Sequence, residues 1–290
     1  MPELPEVETV RRHLQQFLPG QRVERAWFYR ADLRYPLPLT QLEALTGATL
    51  GEVRRRSKYL LLASDGPTLL VHLGMTGRLF VEAGSFREAS GKTADIEPER
   101  RKHEHWRLRL DGPMGPQWLR YVDARRFGAL DVVDPAGHHP LIDHLGPEPL
   151  EPAFDAQHLW QACQGRQVPI KQRIMDGSVV VGIGNIYASE SCFRARISPL
   201  RPAHALTLGE SAALVQAARE VLEEAIAAGG STLRDFAGGD EAPGYFQQRL
   251  DVYGRQGEPC LRCRTEGREA KVARTVTGQR ATFWCPGCQA

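Results

Sequence analysis

Cys260-Leu261-Arg262-Cys263 and Cys285-Pro286-Gly287-Cys288 stand twenty-one residues apart near the end of the chain. Each Cys-x2-Cys pair suits one corner of a tetrahedral thiolate site, and the spacer is long enough for a β-hairpin, which is the pattern of a zinc ribbon. About forty residues cannot bury much apolar surface, so a bound Zn2+ would supply most of the folding free energy of this unit. A disulfide pair or a redox site is the competing assignment. Cys163 and Cys192 stand apart from the pairs and fit buried thiols. Between the pairs lies Gln279-Arg280-Ala281-Thr282-Phe283. An arginine on a metal-tied hairpin can hold a phosphate bidentately, or it can be an ordinary surface side chain.

Upstream of the ribbon the apolar period is helical. Leu214, Val215, Ala218, Val221, Leu222, Ala225 and Ile226 line one face of a long amphipathic helix that stops at Gly229-Gly230. Before it, Gly146-Pro147-Glu148-Pro149-Leu150-Glu151-Pro152 reads as a stiff, extended connection. The first half has a different texture. Stretches 59–62, 68–73, 78–81, 106–110 and 129–133 are strand-like, separated by turns such as Asp65-Gly66-Pro67. They predict a β-rich domain, a two-layer sandwich. Val7, Val10, Leu14, Phe17 and Leu18 recur at helical spacing, so a helix ended by Pro19-Gly20 precedes it. Segment 83–102 is polar and pattern-free and reads as an exposed loop. The expected boundaries are 1–146 for the β-rich domain, 147–153 for the linker, 154–251 for the helical domain and 252–290 for the ribbon.

At 290 residues the chain has length for about two domains with real cores. A formal net charge of +2 does not demand a nucleic-acid partner, although basic residues bunch at 54–58, at 100–102 and through the last forty positions. No basic segment followed by an apolar stretch opens the sequence, and no apolar run reaches membrane-spanning length. A soluble, cytoplasmic protein is expected, which favours metal ligation over disulfides for the six cysteines.

The chain opens Met-Pro-Glu-Leu-Pro-Glu-Val-Glu. Removal of the initiator Met would expose the secondary amine of Pro2, and an α-amino group titrates near ~8, so a useful fraction is nucleophilic at neutral pH. Glu3 and Glu6 lie beside it for proton transfer. Pro and acids are also what a helix start prefers, and that alternative stands on these eight residues alone. Gly182-Ile183-Gly184-Asn185-Ile186-Tyr187-Ala188 follows the apolar run 179–181. Two glycines before a helix start allow close backbone approach, and the helix N-terminus favours an anion. The stretch lacks the third glycine and the later acid of a dinucleotide fingerprint. Asn185 can cap the helix or contact a phosphate.

These motifs occur in one order: Pro2-Glu3-Leu4-Pro5-Glu6-Val7-Glu8, Ser57-Lys58-Tyr59-Leu60, His72-Leu73-Gly74-Met75-Thr76-Gly77, Asp123-Ala124-Arg125-Arg126-Phe127-Gly128, the Gly-x-Gly-Asn-Ile-Tyr-Ala stretch, Gly244-Tyr245-Phe246-Gln247 and the four cysteines. From end to end the chain resembles the formamidopyrimidine-DNA glycosylase family. The contexts of Leu4 and Met75 fit this branch better than the related endonuclease VIII group. The resemblance implies an α+β multidomain fold: an N-terminal β-sandwich with an N-terminal helix, a helix-two-turn-helix region, and a C-terminal zinc ribbon. It implies damaged double-stranded DNA as partner, held in the cleft between domains by a monomer, with one structural Zn2+ on Cys260, Cys263, Cys285 and Cys288.

The resemblance also implies roles. Pro2 attacks the anomeric carbon of the damaged nucleoside, expelling the base, and the resulting iminium acts as an electron sink for elimination of both flanking phosphates. Glu3 is the acid/base, and Glu6 supports the nucleophile region. Lys58, at the edge of the catalytic set, holds a phosphate, as do Asn185 and Arg280, while Lys171 lies near the lesion. The nucleotide must leave the stack, and Met75, Arg125 and Phe127 fill or wedge the vacated space. Read without the resemblance, Met75 and Phe127 are core residues. Segment 234–245 corresponds to a lid over the flipped base. The spacer between cysteine pairs and the 83–102 loop are both longer than the family pattern. Two rival functions are a glycosylase preferring oxidised pyrimidines and a non-catalytic binder of damaged DNA; the Pro2-Glu3 pair argues against the binder.

Overall fold

The computed structural model describes residues 2–83, 87–89, 92–94, 98–230 and 250–290. Among these, Pro2 and residues 6–140 belong to one compact unit, and residues 3–5, 141–230 and 250–290 to a second.

Helix α1 (Leu4–Phe17) opens the chain. Its apolar stripe is buried, with Val7 and Leu14 fully covered, and Gly20, at φ +80°, turns the chain out of it. In the first unit there follow β1 (Arg22–Phe28), α2 (Leu39–Glu43), β2 (Leu50–Arg56), β3 (Tyr59–Ser64), β4 (Thr68–His72), β5 (Gly77–Ala83), β6 (Arg87–Ala89), β7 (Lys92–Ala94), β8 (Glu104–Asp111), β9 (Gln117–Asp123) and β10 (Ala129–Val133). Two four-stranded sheets form, ordered β1-β8-β9-β5 and β10-β4-β3-β2. Alternate residues of both, such as Leu60 and Leu62 on β3 and Leu108 and Leu110 on β8, meet in one core with the α1 stripe. The expected sandwich is observed.

Three strands escape the apolar pattern of the sequence: β1, β2 and β9. In β9 and its neighbour β8, buried charged residues interrupt the alternation. Arg120 is 2 % exposed and its Nη2 donates to Glu104 Oε2 at 2.7 Å, so a pair that reads as surface is internal. Segment 83–102 also differs from a plain loop. Residues of β6 and β7 pair antiparallel, Arg87 opposite Ala94, and local pairing of this kind requires no apolar period. At its end Pro98 returns to the sheet, its carbonyl accepting from Arg107 Nη1 at 2.7 Å.

The second unit contains α3 (Ala156–Cys163), α4 (Ile170–Ile174), α5 (Asn185–Arg194), α6 (Leu208–Ala227), α7 (Leu261–Thr265), β11 (Ala273–Thr277) and β12 (Arg280–Trp284). Asp155 caps α3, accepting from His158 N at 2.7 Å, and Thr207 and Glu210 form a reciprocal capping box on α6. The end of α6 falls where the glycine pair requires, with Gly230 N donating to Ala225 O at 2.8 Å. Residues 147–153 are tied down within this unit. Val181 N donates to Pro147 O, and the Arg219 guanidinium donates to the carbonyls of Pro149, Glu151 and Phe154. Phe193 of α5 packs with Val252, Val272 and Phe283, joining ribbon and helices in one cluster. Segment 234–245 and the Gly244-Tyr245-Phe246-Gln247 motif lie outside the described residues.

Candidate functional site

The expected site residues fall into two groups, one in each unit. In the first unit, sheet register gathers three turns at one end. Tyr59, His72 and Ala129 sit side by side on β3, β4 and β10, and Gly77 pairs with Asp123 across β5 and β9. Lys58 therefore precedes β3, Met75 lies in the β4–β5 turn, and Arg125 and Phe127 lie in the β9–β10 turn, all at the same edge.

Asp123, fully buried, organises this edge. Its Oδ1 accepts from Thr76 Oγ1 at 2.5 Å and Arg125 N at 3.2 Å, and its Oδ2 accepts from Gly128 N at 2.9 Å and Tyr121 OH at 3.3 Å. One carboxylate thus pins the turn carrying Met75 to the turn carrying Arg125 and Phe127. The backbones meet so closely that a Cβ at Gly74, which has φ +64°, would lie 2.4 Å from Gly128 N. Met75 is half-buried and Arg125 exposed. Phe127 is 44 % exposed, with the Arg125 guanidinium 4.7 Å from its ring centroid, so it is not a core residue. His72 Nδ1 accepts from Gly74 N at 3.0 Å. Burial, with the charges of Lys58 and Arg34, pushes His72 down to about 4 against the opposing pull of Asp123. It is a neutral acceptor at physiological pH.

In the second unit, the anion at the α5 N-terminus is the side chain of Glu3. Its carboxylate accepts from Gly184 N at 2.9 Å, from Ile186 N at 3.0 Å and, longer, from Tyr187 N at 3.4 Å, while Leu4 N donates to Gly182 O at 3.1 Å. Glu3 is 3 % exposed. A Cβ on Gly184 would lie 2.2 Å from the Glu3 carboxyl carbon, so the second glycine of the motif makes room for this carboxylate. Asn185 is not the cap; Gly184 takes that position, and the Asn185 side chain turns to other partners.

Those partners form a node around Lys171, which is 1 % exposed. Its ammonium donates to Asn185 Oδ1 at 2.6 Å, Thr282 Oγ1 at 2.9 Å and Ala281 O at 3.0 Å, and Asn185 Nδ2 donates to the same Ala281 carbonyl at 2.9 Å. All three ammonium hydrogens have protein acceptors. Lys171 thus fastens α4, α5 and β12 together, and the neighbouring Arg280 begins β12 fully on the surface. Gly278 and Gln279, both with φ near +60°, close the β11–β12 hairpin in a two-residue turn, so the hairpin tip is short and the rest of the spacer lies in α7 and residues 266–272. Burial pushes Lys171 down to about 8; the proximity of Cys192 and Glu3 works against burial, and the charge of Arg280 works with it. Pro2 is buried two residues before the start of α1, and Glu6 is buried in the first turn of that helix.

The four ribbon cysteines converge, their sulfurs all within 4.8 Å of one another. Cys260 and Cys288 Sγ are 3.8 Å apart and Cys263 and Cys285 Sγ 3.7 Å apart. A tetrahedron of thiolates around a metal with bonds of about 2.3 Å has edges of about 3.8 Å, so the donor set fits a metal of that size. Sequence reasoning missed Asp123 and Thr76 as site-forming residues; both stand inside quoted motifs, but they act by joining two turns through hydrogen bonds, which residue type alone does not disclose. The close approach expected at Gly184 is observed, with Glu3 as the anion.

Residues 1–130 match the family described as the formamidopyrimidine-DNA glycosylase N-terminal domain, and residues 145–237 match the formamidopyrimidine-DNA glycosylase H2TH domain. The chain is 49 % identical to the formamidopyrimidine-DNA glycosylase of Alkalilimnicola ehrlichii and 48 % identical to that of Paracoccus denitrificans, over 100 % of both chains in each case. Among solved structures, the MutM (Fpg) protein of Thermus thermophilus is 39 % identical with a TM-score of 0.81, covering 99 % of this chain and 98 % of that one. A mutant Fpg of Lactococcus lactis in complex with Fapy-dG-containing DNA is 30 % identical with a TM-score of 0.84, covering 99 % of each chain. Fold and site define an H2TH-containing DNA glycosylase. Within that class, the chain belongs to the formamidopyrimidine-DNA glycosylase family.

Cys260→Ser leaves three thiolates and should drop bound metal from about one equivalent per chain to a small fraction of it, with loss of ribbon stability, read by elemental mass spectrometry and thermal melting. Unchanged metal content would remove the ribbon from consideration as the metal centre. Lys171 gives a pH signature. Between pH 8 and 10.5 the unfolded chain keeps a proton that the folded chain has released, so wild-type stability rises with pH relative to Lys171→Met. The difference should grow by roughly 1–2 kcal/mol from pH 8 to 9.5 in urea unfolding. A flat difference means that Lys171 titrates normally.

Proposed function

We propose that this base-excision-repair glycosylase removes 8-oxoguanine and formamidopyrimidines from duplex DNA through Pro2, and then cleaves the strand by β,δ-elimination. The observation that carries the reading is the seat of Glu3. A buried carboxylate directly after Pro2, held on the α5 amides at 2.9 and 3.0 Å, stands ready for proton transfer at that amine.

In this mechanism the unprotonated Pro2 nitrogen forms a bond to the anomeric carbon as the bond to the damaged base breaks. Glu3 moves the protons that ring opening requires, leaving an iminium link between Pro2 and the opened sugar. The positive nitrogen makes the proton on the adjacent carbon acidic; its removal expels one flanking phosphate, and a second elimination expels the other. Glu6 supports the nucleophile region from the first turn of α1. Lys58, Asn185 and Arg280 hold phosphates. Lys171, with its ammonium spent on Asn185 and β12, keeps those two phosphate-holding residues in place. Met75, Arg125 and Phe127 occupy the space beside the orphaned base: Phe127 and Arg125 project together from a turn that Asp123 stiffens. Zn2+ on the four cysteines is structural, since four thiolates close the coordination shell to an activated water. The protein acts as a monomer on chromosomal DNA in the cytoplasm.

Borohydride trapping on an 8-oxoguanine duplex tests the nucleophile. The adduct should map to an N-terminal Pro2 peptide, and Pro2→Gly should retain damaged-DNA binding while losing efficient elimination. Recovery of the adduct on a lysine peptide defeats the proposal.

Arg125 and Lys58 should separate by opposite-base dependence. An arginine fork reading an unpaired cytosine contributes ~1–3 kcal/mol of discrimination, so Arg125→Ala should flatten excision rates across the four opposite bases. Lys58→Ala should weaken binding to all four alike, because a phosphate carries no sequence information. An equal fall in all four rates for Arg125→Ala makes Arg125 a backbone contact only.

A further inference from the structure

The turn that carries Lys58 is built against the preference of its own sequence. Arg56 and Tyr59 pair across β2 and β3, leaving Ser57 and Lys58 as a two-residue hairpin turn. Ser57 has φ +57°, whereas Lys58 is not in the positive-φ region. Positive φ at the first central position alone is the pattern of a type II′ turn, and glycine is the residue that enters it without strain. Serine there needs something to hold it.

That holder is visible. Arg55 is only 12 % exposed, and its Nη1 donates to the Ser57 carbonyl at 2.8 Å while its Nε donates to Glu8 Oε2 at 3.2 Å. Glu8, on α1, is 13 % exposed and is gripped further by Arg11 and Arg12, whose nitrogens reach its Oε1 at 3.0 Å. Burial opposes ionisation of Glu8, but hydrogen bonds from Arg11 and Arg12 and the charges of Arg11 and Arg55 outweigh it and hold the carboxyl below its usual range. The result is a continuous chain of contacts: α1, Glu8, Arg55, Ser57 carbonyl, Lys58. A planar guanidinium suits the task, because its Nε and Nη1 hydrogens point in fixed, different directions; a lysine ammonium has no such fork.

We propose that Arg55, braced by Glu8, is a positioning residue that locks the strained Ser57 turn and so places Lys58 for the DNA backbone. The inference rests on the reading of Lys58 as a phosphate contact. It gives Glu8, otherwise an ordinary acid on a basic helix face, a share in DNA binding without touching DNA.

The test uses the full-length protein and a duplex carrying an uncleavable abasic-site analogue, with affinity measured across salt concentrations and folding checked by thermal melting. Lys58→Ala should lower affinity and reduce the salt slope by about one. Arg55→Met should do the same, with at least about a fivefold loss of affinity, the size of one hydrogen bond's worth of placement. In the Lys58→Ala background Arg55→Met should add little, because the residue it positions is gone. Ser57→Gly, near-neutral alone, should restore affinity and salt slope to the Arg55→Met protein, since glycine takes positive φ unaided. Glu8→Gln and Arg55→Lys provide milder variants should Arg55→Met melt early, and each should show a smaller loss with the same rescue. If Lys58→Ala leaves affinity and slope unchanged, the phosphate reading itself falls. If Lys58→Ala weakens binding but Arg55→Met does not, or its loss adds fully to that of Lys58→Ala, or Ser57→Gly fails to rescue, Arg55 is either structural or a direct DNA contact and the positioning role is overturned.

Discussion

The carboxylate of Glu3 on the amide groups that open α5 is the constraint on which the proposed chemistry of this protein is built. A helix N-terminus carries unsatisfied N–H groups and a positive dipole end, and here they receive an internal carboxylate 181 residues away from Gly184 in sequence. The contact demands a glycine at 184, because any Cβ there would overlap the carboxyl group. It also ties down residues 3 and 4, with Glu3 seated on the α5 amides and Leu4 N bonded to Gly182 O. In the proposed mechanism the acid/base carboxylate is thereby placed in advance, so its ordering entropy is not spent during the reaction.

The same economy appears in the β-sandwich unit, where single buried charges serve several backbone groups at once. Asp123 receives four donors from two turns and a tyrosine, so the residues that face DNA in the proposed function stand on turns that cannot move independently. The node around Lys171 performs this service for α5 and β12. Both are costly arrangements, since a charge is taken from water, and in both the charged group itself is met by several hydrogen-bond partners.

How much of this was legible in the sequence depended on whether the signal was periodic, compositional or three-dimensional. The α1 stripe, the α6 face with its glycine stop and the four-cysteine ribbon are periodic or spaced patterns, and the structure has them where the residues place them. Strand β9 was not legible because Arg120 is buried in a pair with Glu104 and breaks the alternation that marks a strand, and β1 and β2 were not because a register shift interrupts the period of each, between Val23 and Arg25 and between Leu50 and Val53. Phe127 was misleading for the opposite reason: an aromatic beside a strand reads as core, yet it is exposed under the Arg125 guanidinium. Asn185 reads as a helix cap, but capping needs only a suitable side chain nearby, and Glu3 arrives from the other end of the chain to take the amides. Contacts such as Glu8 to Arg55, forty-seven residues apart, leave no trace in local sequence.

The occupied helix terminus also decides how phosphates can be held. In many nucleotide-binding folds a glycine-rich turn before a helix gives its free amides to a phosphate, and the Gly182-x-Gly184 stretch invites that assignment. Here the amides of Gly184 and Ile186 are already bonded to Glu3 at 2.9 and 3.0 Å. A second anion at the same amides would sit against a buried carboxylate, and like charges at that range repel strongly in a poorly solvated site. In the function we propose, phosphate holding passes to the side chains of Lys58, Arg280 and Asn185, and each has its own support: the Arg55 clamp, the two-residue hairpin turn, the Lys171 node. On that proposal, a helix terminus whose amides seat the Glu3 carboxylate goes together with three separate devices elsewhere in the chain that place a side chain rather than an amide.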